Sequence, residues 1–234
     1  MSSLQGTRIT WLGHATVLVT TAKGTTLLID PFIEQNPKYP KGFKLPEKID
    51  YILLTHGHSD HISDAEPVAK KHGSTVVAIH ELAAYMEEQG VKKTMGINLG
   101  GTVQLDDVAA TLVEAKHSSG AQDKKGTHYV GVAGGFVLTI AGGPILYHAG
   151  DTAVFSDMQL IHEIYAPQVA MLPIGGHYTM GPKEAAVAVR FLQPTMVLPL
   201  HFGTFPPLTG TPEALAGLVD PSVEVVRWNP GETI

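Results

Sequence analysis

Thr55-His56-Gly57-His58-Ser59-Asp60-His61 packs three imidazoles and a carboxylate into six positions, directly after the apolar run Tyr51–Leu54. Alternate side chains leaving a strand end through a Gly-containing loop can converge on one point, which is what a metal ion requires. Neutral imidazoles mixed with carboxylates suit zinc, manganese or iron, whereas calcium or magnesium would favour an all-oxygen set. Without a metal, four such groups would repel one another on protonation and lack partners.

Four ligands from one loop do not complete a two-metal site. Three further candidates each close an apolar run. His117 precedes the sharp turn Ser118-Ser119-Gly120, Asp151 lies in Tyr147-His148-Ala149-Gly150-Asp151-Thr152, and His201 follows Val197-Leu198-Pro199-Leu200. Singly each could be an ordinary loop residue; together they point to a convergent site. Asp30 ends another apolar run and could fix the tautomer of a ligand histidine, and Thr55 could do similar work. The other reading of Asp30 is a turn residue before Pro31. His14 after Gly13, and His177 after Gly175-Gly176, stand where either could meet a substrate or protonate a leaving group. His80 and His148 read as structural, and His72, His128 and His162 as loop or surface residues.

The elements that must hold these residues are short. Strands are expected at Ile9–Leu12, Val17–Thr20, Thr25–Ile29, Tyr51–Leu54, Val76–Ile79, Thr102–Leu105, Ala110–Glu114, Tyr129–Val132, Phe136–Ile140, Ile145–Tyr147, Val169–Pro173, Val197–Leu200 and Val223–Trp228. Helices are expected from Ser63-Asp64 to Gly73, over Glu81–Gln89, from a Ser156/Gln159 capping box to Tyr165, from Pro182 to Leu192, and from Thr211-Pro212-Glu213. Each half ends in β-then-α alternation. No linker or low-complexity tract separates the halves, so residues 1–234 read as one α/β domain with two sheets packed face to face and helices outside both.

Hydrophobic residues make up 44% of the 234, enough for a sizeable core, and 25 Gly with 16 Pro imply many tight connections. A net charge of −6 argues against a broad basic face for nucleic acid. The absence of cysteine removes disulfides and thiolate ligands and suits a reducing compartment. Met1–Thr7 is polar and lacks the pattern of a signal peptide, and the uncharged stretch Val130–Tyr147 is broken by glycines, so a cytoplasmic protein without a membrane span is expected. The segment Glu34–Lys48 carries Lys38, Lys41, Lys44 and Lys48 among prolines. Solvated lysines are the ordinary reading; a cap over the site that favours an anionic substrate is the other.

The ordered set His56-x-His58-x-Asp60-His61, His117, Asp151 and His201 resembles the metallo-β-lactamase superfamily over nearly the whole chain. Gly13-His14-Ala15-Thr16, Leu28-Ile29-Asp30-Pro31-Phe32, Ala149-Gly150-Asp151-Thr152 and Gly181 after Thr179-Met180 resemble one branch, the metal-dependent hydrolases similar to ascorbate-6-phosphate lactonases. The resemblance implies a four-layer αββα sandwich of two mixed sheets with the site at one edge. It implies a first metal on His56, His58 and His117, a second on Asp60, His61 and His201, and Asp151 bridging them. Two divalent ions, zinc foremost with manganese or iron as alternatives, would share a hydroxide that attacks a small ester, lactone or phosphoester, with Asp60 as ligand and proton acceptor. True β-lactamases include members with a thiolate ligand; this chain has none, which argues against antibiotic hydrolysis. A metal-dependent nuclease and a non-catalytic metal-binding protein of the same fold are the competing expectations. The partner expected is a small molecule, and a homo-oligomer is compatible with the composition.

Overall fold

The computed structural model describes residues 4–234; Met1 to Ser3 of the polar N-terminal segment lie outside the described residues. The first half opens with an antiparallel meander of β1 (Arg8–Trp11), β2 (Val17–Thr20) and β3 (Thr26–Ile29). It continues in parallel through β4 (Tyr51–Leu53), helices α1 (Ser59–Ile62) and α2 (Ala65–His72), β5 (Thr75–Ile79), α3 (His80–Glu88) and β6 (Thr94–Ile97). The second half runs β7 (Thr102–Leu105), β8 (Val108–Glu114), a ribbon of β9 (Gly120–Asp123) and β10 (Gly126–Tyr129), then β11 (Gly134–Ile140) and β12 (Ile145–His148). After these come α4 (Met158–Tyr165), β13 (Val169–Pro173), α5 (Pro182–Leu192), β14 (Met196–Leu200), α6 (Pro212–Ala216) and β15 (Glu224–Val225). The first sheet has the order β1-β2-β3-β4-β5-β6, and the second β15-β14-β13-β12-β11-β8-β7.

Both sheets are thus mixed, and the parallel pairs are joined by helical crossovers except β3–β4, whose connection through residues 30–50 carries no helix. The period-two alternation of side chains sorts the second sheet into two faces. Phe136, Leu138, Leu146, Met171 and Leu198 face the first sheet and join Leu27, Ile29, Ile52 and Val76 in one buried core. Val137, Tyr147, Ala170, Leu172 and Val197 face outward and pack on Met158 and Ile161 of α4, Ala185 and Val189 of α5, and Leu215 of α6. Two sheets face to face with helices outside make the αββα sandwich. Truncating one of the buried Leu, Ile or Met side chains among these to Ala costs about 2–5 kcal/mol.

Strand direction is what brings the chemistry together. β3 and β4 run parallel, and β8 shares its direction with β12, β13 and β14 because two antiparallel steps separate β8 from β12. The carboxyl ends of these strands therefore release Asp30, His56, His117, Asp151 and His201 at one end of the sandwich, the usual place for a site in parallel sheets. The C-terminal segment returns to cover the free edge of β1, with Ile9 and Ile234 exchanging two backbone hydrogen bonds of 3.0 Å. Trp11 is stacked between Phe202 and Trp228 at centroid distances of 5.1 and 5.5 Å.

Several boundaries differ from expectation. The expected strand Tyr129–Val132 is instead β10, ending at Tyr129. The tight turn through Gly126, with φ +127°, folds β9 back on β10 and pulls the pairing toward the N-terminus. The Ser156/Gln159 capping box does not form: Asp157 is the N-cap, and the Ser156 hydroxyl donates to its carboxylate at 2.9 Å. Only Glu224–Val225 of the last expected strand pairs. Thr211 does cap α6, accepting from the Ala214 N–H at 3.2 Å. Among the described residues no helix is long and apolar enough to cross a membrane.

Candidate metal centre

The loop after β4 starts from a buried hydrogen-bond frame. Asp30, fully buried, accepts from the Thr55 N–H at 2.8 Å and from the Thr55 hydroxyl at 2.6 Å, and lies 2.8 Å from His61 Nδ1. The Thr55 hydroxyl gives its one proton to Asp30, so it must accept from His56 Nδ1, 3.0 Å away. His61 likewise uses its Nδ1–H on Asp30. Both rings therefore present Nε2 lone pairs away from the frame, which is how partners behind a metal-ligating histidine orient it. The expected neighbours Asp30 and Thr55 are brought to these two histidines.

The seven candidate ligands converge. Ligand atoms of His56, His58 and His117 lie within 4.8 Å of one another, and so do those of His14, Asp60, His61 and His201. Between the groups sits the buried carboxylate of Asp151. It lies 3.1 Å from His201 Nε2, 3.4 Å from His61 Nε2, 3.6 Å from His117 Nε2 and 4.0 Å from His56 Nε2. A third combination, Asp30 with His56 and His61, is also within reach, but both Asp30 oxygens are already engaged. His61 Nε2, His201 Nε2 and Asp151 Oδ1 are buried without a hydrogen-bond partner. Orphaned atoms cost free energy unless something meets them, and a cation meets lone pairs and carboxylate together.

The electrostatics agree with a cation. Burial would lower the His61 pKa, but Asp151 and Asp30 on either side raise it well above the usual value. Burial would raise Asp151, but His201 and His61 hold it well below the carboxylate range. His56 is lowered by its burial and by the neighbouring His61. A field that would hold a proton between two carboxylates equally favours a dication there. The donor set of imidazole nitrogens and carboxylate oxygens fits zinc, manganese or iron.

Glycine permits two close approaches that build the site. Gly150 has φ +61°, and a Cβ there would stand 2.8 Å from Thr55 Cβ, so only glycine lets the Asp151 loop lie against the frame. Gly13 has φ +90°, with Lys38 O 2.8 Å from where a Cβ would be. It allows the turn in which the His14 carbonyl accepts from Trp11 Nε1 and from the His201 N–H, both at 2.9 Å.

His14 differs from expectation. It is fully buried and is not part of the cleft lining; its Nε2 is 3.0 Å from Asp60 Oδ2 and its Nδ1 3.0 Å from Thr204 Oγ1. Burial foremost, with His201 and His61 nearby, lowers its pKa to about 4, so near neutral pH a neutral ring donates to Asp60 and accepts from Thr204. Its ring stacks on His201 with centroids 3.9 Å apart. Both its nitrogens are engaged, and its ring is enclosed behind Asp60. His177 is not brought to the cluster either: it is exposed with φ +60°, packs edge-on against Tyr178, and leaves the cleft lining to Tyr178.

His148 is buried, with Nε2 donating to the Ala15 carbonyl at 3.1 Å and Nδ1 accepting from the Gly150 N–H at 3.2 Å, which anchors the Asp151 loop. His80 is exposed at the start of α3, and His72, His128 and His162 are part-exposed with local partners.

The clusters open into a cleft of about 1090 Å³. Of the segment 34–48 only Gln35 lines it, and Lys38, Lys41, Lys44 and Lys48 are all exposed elsewhere. The lysines take the ordinary, solvated placement and the alternative of a cap is not formed, because Tyr39, Phe43 and Leu45 pin the segment to the core. The sequence reading also missed Thr204, Ser118, Phe32, Phe205 and Tyr178. Phe205 and Thr204 follow His201 within four residues, and that proximity was the available signal.

Comparison with known proteins gives a consistent result. The family model described as "Beta-lactamase superfamily domain" matches residues 8–201. A UPF0173 metal-dependent hydrolase of Koribacter versatilis is 51% identical over 230 residues, covering 98% of both chains. One from Rubrobacter xylanophilus is 47% identical, covering 99% of this chain and 97% of its own. The solved structure of Igni18, a metallo hydrolase from Ignicoccus hospitalis, superimposes with a TM-score of 0.83 at 35% identity, covering 97% of each chain.

Proposed function

The chain belongs to the β-lactamase superfamily and is a metal-dependent hydrolase; on that premise we propose that it works with two divalent ions on a small ester, lactone or phosphoester. The observation that carries this reading is the Asp151 carboxylate, within 3.1–4.0 Å of imidazoles from both clusters. A carboxylate has two oxygens and can reach two ions, whereas a neutral imidazole cannot. His56, His58 and His117 would hold one ion, and Asp60, His61 and His201 the other. Zinc is the first choice, manganese or iron the alternatives, and a cytoplasmic setting is part of the proposal.

Such a pair, when bound, supplies Lewis acidity and a water that ionises near neutral pH. The chain does the rest. Asp60, its side chain 31% exposed at the cleft, holds one oxygen on His14 and has the other free to take a proton from the attacking water and return it to the leaving oxygen. His14 and Thr204 keep Asp60 from swinging, Asp30 and Thr55 orient His61 and His56, and the buried cluster excludes bulk water from one side.

The experiment is turnover of ester, lactone, phosphodiester and RNA substrates by chelator-stripped and metal-reloaded protein, with ions per chain measured by elemental analysis. Activity that returns in step with the second ion supports the reading. Turnover of RNA alone would make the protein a nuclease, and no turnover at two ions per chain would make it a metal-binding protein of this fold.

A further inference from the structure

The two walls of the cleft are unlike each other. Beside Asp60 and His201 the lining is Phe32, Phe205, Pro207 and Tyr178, and beside His58 and His117 it is Ser118, Gln122 and Thr127. The apolar wall is braced: Phe32 is 4% exposed, and Phe32 and Phe205 each meet the His14 ring edge-on at 5.6 Å, with their own centroids 6.4 Å apart. Tyr178 also lines the cleft and is 57% exposed. The opposite wall comes largely from the β9–β10 ribbon and offers hydroxyls and an amide.

Among the described residues no lysine or arginine lines the cleft. A phosphomonoester or a carboxylate-bearing substrate is ordinarily gripped by guanidinium or ammonium groups, which match its charge and fork geometry. This cleft offers only uncharged donors outside the metal ligands. It also exposes aromatic surface, which gains free energy only when covered by something apolar. The small phosphorylated lactone that the sequence resemblance brings into view has neither the neutrality nor the apolar surface that these walls match.

We propose that the substrate is an uncharged ester or lactone bearing an aromatic or alkyl group. That group seats against Phe32, Phe205 and Tyr178, and the polar end faces Ser118, Gln122 and Thr127. The proposal rests on the hydrolytic, two-ion reading of the same site, and it names what that site selects.

Hydroxamic acids test it without relying on turnover, because all share one metal-chelating group and differ only in what they present to the walls. Calorimetric titration of the metal-loaded protein would compare acetohydroxamate, benzohydroxamate and the anionic monohydroxamate of succinate. Benzohydroxamate is expected to bind about tenfold tighter than acetohydroxamate, the effect of covering one ring face, and the anionic probe no tighter than acetohydroxamate. Phe205→Ala and Tyr178→Ala should each shrink the ratio of benzohydroxamate to acetohydroxamate affinity about threefold, read on protein at equal metal occupancy. Tyr178 is exposed enough that its variant folds regardless of what Phe205 contributes, and Phe205→Leu should retain most of the preference. Equal affinities for the aromatic and methyl probes, or tightest binding of the anionic one, would overturn the proposal. Aromatic preference without turnover of any ester or lactone would keep the specificity and sink the hydrolytic chemistry. Failure of all three probes to bind would sink both.

Discussion

The two ligand clusters meet at one carboxylate but are supported in different ways. His56, His58 and His117 are three imidazoles, of which His58 and His117 are part-exposed at the cleft. Hydroxyls support two of them, Thr55 on His56 at 3.0 Å and Ser118 on His58 at 3.3 Å. The other cluster includes a carboxylate, and its two histidines are 0–1% exposed. Its supports are stronger: the charged Asp30 holds His61, the buried His14 holds Asp60, and the His14 carbonyl holds the His201 backbone. Asp151 leans to this side as well, 3.1 and 3.4 Å from His201 and His61 against 3.6 and 4.0 Å from His117 and His56. The first cluster resembles an open receptor for an ion; the second is a preformed socket whose charge calls for one.

The sharpest way to break this contrast is to remove the carboxylate that only the second cluster has. Asp60→Ala should lower turnover about a thousandfold or more, since it deletes a ligand and the proton acceptor together. The variant should stay folded: it strands one His14 nitrogen, a cost of about 1–3 kcal/mol against a large core. Circular dichroism would check the fold and steady-state kinetics the rate. A variant that keeps most of the wild-type rate would remove Asp60 from the mechanism.

Asp151→Asn keeps the shape and removes the charge facing both clusters. After dialysis, elemental analysis should find about two ions per chain in the wild type and about one in the variant, because three imidazoles remain for the first ion while the second, toward which Asp151 leans, loses one of its two carboxylates. Equal retention of both ions would end the bridging model.

The His14→Ala change acts one step further out. Losing the group that steadies Asp60 should weaken the second ion about 10–100-fold and leave the first unchanged, with the rate largely recovered at saturating metal. Metal titration coupled to rate measurement separates this from chemistry. A rate that stays low with both ions bound would return His14 to the reaction itself, as the sequence had led one to expect.

How much was legible follows from where the signals sit. Val17–Thr20, Thr102–Leu105, Val169–Pro173 and Pro182–Leu192 match the observed elements residue for residue, since each has a clear apolar pattern, continuous, alternating or helical, with turn residues or a proline at its ends. The four-residue helix α1 was hidden inside the polar ligand loop, and β6 was masked by Gly96. The ligand cluster could be read because its residues end apolar runs, and sheet topology places those ends together. The roles of His14 and of the aromatic wall could not, because they depend on ring direction and on contacts between residues up to 190 positions apart, such as His14 with Thr204.

His177 gives the smallest expected effect and tests that limit. Gly175-Gly176 made it look like a residue delivered to the cleft, whereas Gly13 delivers His14 to the buried side of Asp60. The two loops are alike in placing histidine at positive φ, +55° and +60°, yet one ring is enclosed by Asp60, His201 and Thr204 and the other faces solvent. Among the described residues nothing hydrogen-bonds the His177 ring, and Tyr178 is the residue of this loop that lines the cleft. His177→Ala should therefore leave both ions bound, change the rate by no more than about twofold, and move stability by less than about 0.5 kcal/mol, because alanine inherits the same backbone strain. His177→Gly should raise stability by up to about 1 kcal/mol by relieving the left-handed conformation, with the rate again unchanged. Thermal melts and kinetics on the two variants decide the matter. A fall of tenfold or more in the alanine variant at full metal occupancy would mean that the loop closes over the cleft during turnover and carries His177 to the substrate.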